Sequence, residues 1–221
     1  MTLLERIISV VAPYDCLGCG REGRLLCTDC LVLFPDVPER CYRCHKASPG
    51  GLTCASCRSS SRLHRVRVAT DYEGVAKDIV WRIKFDGAQS VTKDLAACLA
   101  NLLPREQEFY LVPVPTTTGR ARQRSYDQAK LLARALSRQT GHPYRDYLAR
   151  IGKTHQIGSS RQERLRQLSG CFRVKSFNSV RGRRLILIDD VVTTGATLEA
   201  AATALRQAGA KRVEAVVFAQ P

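Results

Sequence analysis

Two groups of residues in this chain have the types and spacing to do chemistry. The first is an acidic doublet, Asp189-Asp190, followed at once by a small hydroxyl- and glycine-containing turn, Val191-Val192-Thr193-Thr194-Gly195-Ala196-Thr197. The second is a set of C-x-x-C pairs, Cys16/Cys19, Cys27/Cys30, Cys41/Cys44 and Cys54/Cys57. Adjacent carboxylates repel one another unless they share a cation or accept from hydroxyls. A ribose 2′,3′-diol beside a phosphate, with Mg²⁺ nearby, meets that need. The turn supplies the phosphate side: unpaired N–H groups at a helix start, a glycine for close approach, and the hydroxyls of Thr193, Thr194 and Thr197. Asp189 and Asp190 are therefore the candidate catalytic pair, and the expected ligand is a sugar phosphate. A Walker A loop is excluded because no Lys-Ser/Thr follows Gly195, and a dinucleotide fingerprint because G-x-G-x-x-G is missing.

The cysteine pairs imply a metal. C-x-x-C sets two thiolates on one tight knuckle, and two knuckles complete a tetrahedral Cys₄ shell around Zn²⁺. Four knuckles imply two zinc ions, and full shells make them structural. Pairing in chain order closes the shortest loops, although an interleaved cross-brace stays open at this stage. A redox role would require a thioredoxin-like βαβ context, which is absent. Some 45 residues are too few to hold together by apolar burial, so metal would supply the folding energy. His45 is expected at the surface, and the isolated Cys98 and Cys171 as core residues.

These groups need elements to position them. Arg183 to Ile188 is an apolar, branched run short enough to be one buried parallel strand, and Leu198 to Ala208 reads as a helix stopped by Gly209. Upstream, Arg65–Tyr72 alternates as an edge strand. A helix from Gly74 carries Ala76, Ile79, Val80 and Ile83 on one face, and a second runs through Leu95, Leu99 and Leu102. Phe109–Val114 is a strand leading into a basic loop with Arg120, Arg122 and Arg124. Ser125-x-x-Gln128 reads as a capping box for a helix over Ala129–Arg138. A strand around Tyr147–Ile151 precedes the polar segment 152–159, a candidate closing loop, and a second capping box, Ser160-x-x-Glu163. Val213–Phe218 is the last strand. Alternation of strands and helices predicts an α/β domain with a mainly parallel sheet, its anion loops at the carboxyl ends of the strands. The polar stretch 58–64 marks the expected boundary between a zinc module over residues 1–60 and an α/β domain over 65–221.

Composition narrows the partners. The chain has 221 residues, 44% hydrophobic, with 35 Lys and Arg against 20 Asp and Glu, a formal net charge of +15. That balance points to polyanions, nucleic acid or pyrophosphate. Aromatics are only 6%, which argues against a long stacking platform for single strands. No apolar run of about 18 residues exists to span a membrane. Residues 1–12 lack the pattern of a secretion signal and place Leu3, Leu4, Ile7, Ile8 and Val11 on one helical face, so a cytoplasmic location is expected.

The segment LILIDDVVTTGAT resembles the 5-phosphoribosyl-1-pyrophosphate (PRPP) signature of type I phosphoribosyltransferases. Taken with the zinc pairs, Arg124-Ser125-Tyr126-Asp127-Gln128, the upstream Arg120, and Thr154, Gln156, Ser160 and Arg164, the chain is similar throughout to the ComF family. That family joins a double zinc ribbon to a phosphoribosyltransferase-like domain. Departures are Ser125 for Gly, Asp127 for Asn, Ser159 for Leu and Gln167 for Asn. The resemblance implies that Asp189 and Asp190 hold the ribose diol and Mg²⁺-bound water, and that Thr193, Thr194, Gly195, Ala196 and Thr197 hold the 5′-phosphate. Arg120, Arg124 and Lys84 would meet the pyrophosphate, with Gln128, Gln156 and Arg164 also at the substrate. It further implies a part in natural transformation, handling single-stranded DNA beside a helicase-like ATPase. Three readings follow: a phosphoribosyltransferase toward an undetermined acceptor, a non-catalytic DNA-binding module that keeps a PRPP-type pocket, or an adaptor whose zinc ribbons dock a helicase.

Overall fold

The computed structural model describes residues 14–35, 37–85, 91–104, 108–116, 126–151 and 170–221. Arg120, Arg124, Thr154, Gln156, Ser160 and Arg164, together with the apolar face of residues 1–12, lie outside them.

The sheet is built on the most apolar segments. Strands β1 (Val66–Asp71), β2 (Tyr110–Pro113), β5 (Arg184–Val191) and β6 (Arg212–Gln220) run in the order β1-β6-β5-β2, every pair parallel. Alternation along the two central strands sends side chains to opposite layers. Ile186, Ile188, Val216 and Phe218 enter one half of the core, and Leu185, Leu187, Val213, Ala215 and Val217 enter the other. Both faces being covered explains why β5 reads as a continuous apolar run rather than an alternating one.

Helices α3 (Gly74–Phe85), α4 (Thr92–Ala100) and α5 (Gln128–Thr140) cover the first face; α6 (Ala196–Gln207) covers the second. The face expected on α3, Ala76, Ile79, Val80 and Ile83, is the buried one. Two expectations are corrected. Helix α5 is capped not by a Ser125–Gln128 box but by Asp127, whose carboxylate accepts from Lys130 N at 3.2 Å. The strand expected around Tyr147–Ile151 is β3 (Leu148–Arg150), and it stands outside the main sheet, paired antiparallel with β4 (Phe172–Val174), a partner the sequence pattern does not reveal.

The cysteine-rich segment carries two one-turn helices, α1 (Thr28–Val32) and α2 (Ala55–Arg58). It packs on both halves of the core: Leu25 and Leu26 join the α3–α5 side, and Tyr42 and Leu63 join the α6 side. The stretch 58–64 also runs against the sheet, His64 donating its N–H to Val213 O at 2.8 Å. No helix among the described residues is long and apolar enough to cross a membrane.

Candidate functional site

The two cysteine sets assemble in chain order. Cys16, Cys19, Cys27 and Cys30 bring their sulfurs within 4.8 Å of one another, and so do Cys41, Cys44, Cys54 and Cys57. Tetrahedral Zn–S bonds of about 2.3 Å place sulfurs about 3.8 Å apart. Cys19 and Cys27 stand at 3.7 Å, Cys44 and Cys54 at 3.6 Å, so both sets fit the ion. The first knuckle leaves no room for a side chain at Gly18, where a Cβ would fall 2.7 Å from Cys30 Sγ. The first knuckle of each set closes with a left-handed residue, Gly20 after Cys16/Cys19 (φ 73°) and the exposed His45 after Cys41/Cys44 (φ 57°). The thiols also cannot ionise independently. Burial and the neighbouring Cys54 push Cys57 up to about 12, while the Ser56 hydroxyl leads the contacts that bring Cys54 down to about 6. A shared cation resolves that conflict.

The acidic doublet ends β5, and the turn beyond it opens α6. Gly195 is the N-cap of that helix with φ 71°, a left-handed conformation only glycine adopts cheaply. Thr193 is exposed, Thr194 and Thr197 are half-buried, and Gly195 and Ala196 are buried. Ala196 N donates to Thr194 Oγ1 at a long 3.4 Å. The α6 N-terminus thus lies beside the carboxylates, as an anion site at the carboxyl end of a parallel sheet requires.

The doublet is electrostatically tense. Asp190 N donates to Asp189 Oδ1 at 2.9 Å, and Val191 N to Asp190 Oδ1 at 2.8 Å. Burial, then the charge of Asp190, hold the Asp189 carboxyl well above the usual carboxylate range. Lys84, in the last turn of α3, compensates in part with its Nζ 2.9 Å from Asp190 Oδ2.

These groups open on a cavity of about 440 Å³. Of the expected site residues, Lys84, Gln128, Asp189, Asp190 and Thr197 line it, and Thr193–Ala196 form the adjoining turn. Gln128 is 7% exposed, and its Nε2 has no partner among the described residues, leaving a donor available at the cavity wall. Among the other lining residues are Phe85, Asp127 and Arg150, which the sequence does not mark as site residues. Asp127 accepts from Thr116 N at 3.1 Å while capping α5, so one carboxylate ties the end of the β2 loop to that helix. An Asp directly before the apolar stripe of α5 was the available signal. Arg150 arrives from the short strand β3, its guanidinium 5.3 Å over the Phe172 ring, and nothing local in the sequence marks it. Tyr126 of the R-S-Y-D-Q segment donates its hydroxyl to Ile83 O, joining that segment to the end of α3 beside Lys84.

Residues 126–221 match the model of the family described as phosphoribosyl transferase domain. The chain is 33% identical to competence protein ComFC of Bacillus subtilis over 180 residues, covering 76% of this chain and 72% of that protein. It is 30% identical to competence protein ComFC of Streptococcus pneumoniae over 199 residues, covering 87% and 86%. With competence protein F of Haemophilus influenzae the identity is 36% over 211 residues, covering 90% and 87%.

Proposed function

The chain belongs to the ComF family of competence proteins, and from that premise we propose that its cavity binds PRPP or a related phosphoribosyl ligand together with Mg²⁺. The observation that carries this reading is the meeting of Asp189 and Asp190 with the glycine-headed N-terminus of α6 at one cavity. Carboxylates suit a diol and a hydrated cation; free N–H groups suit a phosphate; no simpler ligand calls for both. The ribose hydroxyls fall to Asp189 and Asp190, and the 5′-phosphate to the turn from Thr193 to Thr197. Lys84 and Arg150 are the described cations for a pyrophosphate, with Arg120 and Arg124 assigned the same part by the family motif. Asp189 and Asp190 would hold Mg²⁺ through its bound water, and the ion would supply positive charge where a departing pyrophosphate gains negative charge. The chain's own part is placement and charge: Lys84 balances Asp190, and Gln128 offers a donor from the wall. Substitution at an anomeric carbon asks little more of a protein than this.

Two Zn²⁺ ions, one per Cys₄ set, hold the amino-terminal module. In the cell we assign the protein to DNA uptake during transformation, as the names of its relatives suggest for them.

Calorimetry tests the pocket. Wild-type protein is expected to bind PRPP only with Mg²⁺, and Asp189→Asn/Asp190→Asn to lose that binding; unchanged affinity in the double variant would remove the reading. A second reading, direct binding of single-stranded DNA, is favoured by the net charge of +15 and by the exposed pair Trp81 and Phe85, their rings 5.6 Å apart beside the cavity. It requires affinity that falls linearly in log[salt]; absent or salt-insensitive binding sinks it.

A further inference from the structure

The backstop of the phosphate turn comes from the other end of the chain. Tyr42 sits inside the first knuckle of the second set, between Cys41 and Cys44, and is 1% exposed. A Cβ built on Gly195 would fall 2.5 Å from Tyr42 Cδ2 and 2.6 Å from Cε2. The ring therefore lies directly against the backbone where the turn enters α6. Its hydroxyl donates to the Glu199 carboxylate in the first turn of that helix.

Glu199 is gripped further by the same neighbourhood. It accepts from Ser61 Oγ at 2.8 Å and from Arg62 N at 2.6 Å, both just beyond the last cysteine of the second set. An acid in the first turn of a helix suits the dipole, but a loose carboxylate there would repel a bound phosphate. Tyr42, Ser61 and Arg62 hold it in place. Among the described residues the first cysteine set makes no equivalent link: its neighbours Leu25 and Leu26 pack on the α3–α5 side of the sheet.

We propose that Tyr42 is a positioning residue for the phosphate turn, and that through it metal occupancy of the Cys41/Cys44/Cys54/Cys57 set is coupled to phosphoribosyl binding. The inference rests on the ligand assigned above. Coupling of this kind is reciprocal: what the metal does for the ligand, the ligand does for the metal. The second set thereby acts on the pocket, while the first remains a pure staple.

The experiment uses the full chain loaded with zinc. Hydrogen exchange of the segment 193–199 is followed by mass spectrometry in wild type, Tyr42→Phe, Tyr42→Ala and Glu199→Gln, with metal content measured alongside. Tyr42→Ala is expected to speed exchange in that segment at least about fivefold. Tyr42→Phe, which keeps the ring against Gly195 but loses the bond to Glu199, should rescue part of the effect. Should Tyr42→Ala lose metal or fold poorly, Glu199→Gln decides: it leaves every cysteine in place and, by weakening the hold of Tyr42, Ser61 and Arg62 on the first turn of α6, should also speed exchange over 193–199. Release of zinc to a chelator is then timed with and without PRPP and Mg²⁺. The ligand should slow one of the two ions at least about fivefold, and that ion should be the one lost in Cys54→Ser. Unchanged exchange over 193–199 in folded, metal-replete Tyr42→Ala and Glu199→Gln overturns the coupling, as does equal protection of both ions by bound PRPP. Failure of wild type to bind PRPP would instead remove the ligand assignment, while the exchange measurement still decides the contact between knuckle and turn.

Discussion

Lys84 Nζ lies 2.9 Å from Asp190 Oδ2, joining the last turn of α3 to the end of β5 across the mouth of the cavity. The pair is partly exposed, with side-chain exposures of 24% and 14%, so its worth to folding is modest. Under the proposed phosphoribosyl reading its worth to binding is larger, because the ammonium lies beside the doublet and lowers the cost of ionising Asp189.

Lys84→Met should therefore separate two ligands. Losing a charge-assisted contact of about 1.5–3 kcal/mol weakens PRPP about tenfold or more. Ribose 5-phosphate, which carries no pyrophosphate, should change far less. Calorimetric titration of both ligands into the variant checks this; equal losses would place Lys84 away from the pyrophosphate.

Asp127 makes a second prediction. Its carboxylate satisfies Lys130 N in the first turn of α5 and Thr116 N beyond β2. Asp127→Ala orphans both donors and should cost about 1–2 kcal/mol, a fall in Tm of roughly 2–8 °C. Asp127→Asn keeps an acceptor and should recover most of it. Thermal unfolding of the two variants distinguishes a cap from a residue that acts only through charge.

Asp127 also shows where sequence patterns succeed and fail. Strand β5, the acidic doublet and the start of α6 were legible because a buried strand, its polar end and a glycine turn are contiguous. The cysteine pairs were legible because ligand spacing is local. Ser125-x-x-Gln128 matched a capping box, yet Gln128 is buried in the cavity wall and Asp127, one step before it, has the shorter reach to Lys130 N. Arg150 escaped because β3 leaves the main sheet for an antiparallel pair, a choice made by tertiary packing. Tyr42 and Glu199 stand 157 positions apart, and no periodicity links them. The hint was on α6, where an acid falls one step from Leu198 and three from Ala202, within a buried stripe.

The cysteine sets predict independent metal loss. They share no ligand, so Cys16→Ser and Cys54→Ser should each lower zinc from two ions to one per chain. Complete chelation should unfold the module, which has little core of its own, and expose Leu26, wholly buried on the α3–α5 side. Atomic absorption on the purified variants, with proteolysis of the chelated protein, reads both outcomes.

Asp189 predicts opposite effects on stability and binding. Its folded-state carboxyl is held above the usual range, so the fold retains a proton that the unfolded chain has already released. Stability contributed by that proton is full below the unfolded value and declines as pH rises toward the folded one. Asp189→Asn removes the penalty: its Oδ1 can still accept from Asp190 N, and the variant should match wild type near pH 3 but exceed it at neutral pH, by about 2 °C or more in Tm. Binding runs the other way. A diol or hydrated cation favours the ionised carboxyl, so ligand binding expels the proton and affinity rises with pH until the raised value is passed. Calorimetry in two buffers of different ionisation enthalpy, between about pH 5 and 8, should show proton release in wild type and none in Asp189→Asn. Absence of release from wild type across that range would mean the carboxyl keeps its proton in the complex and cannot serve the ribose as an anion.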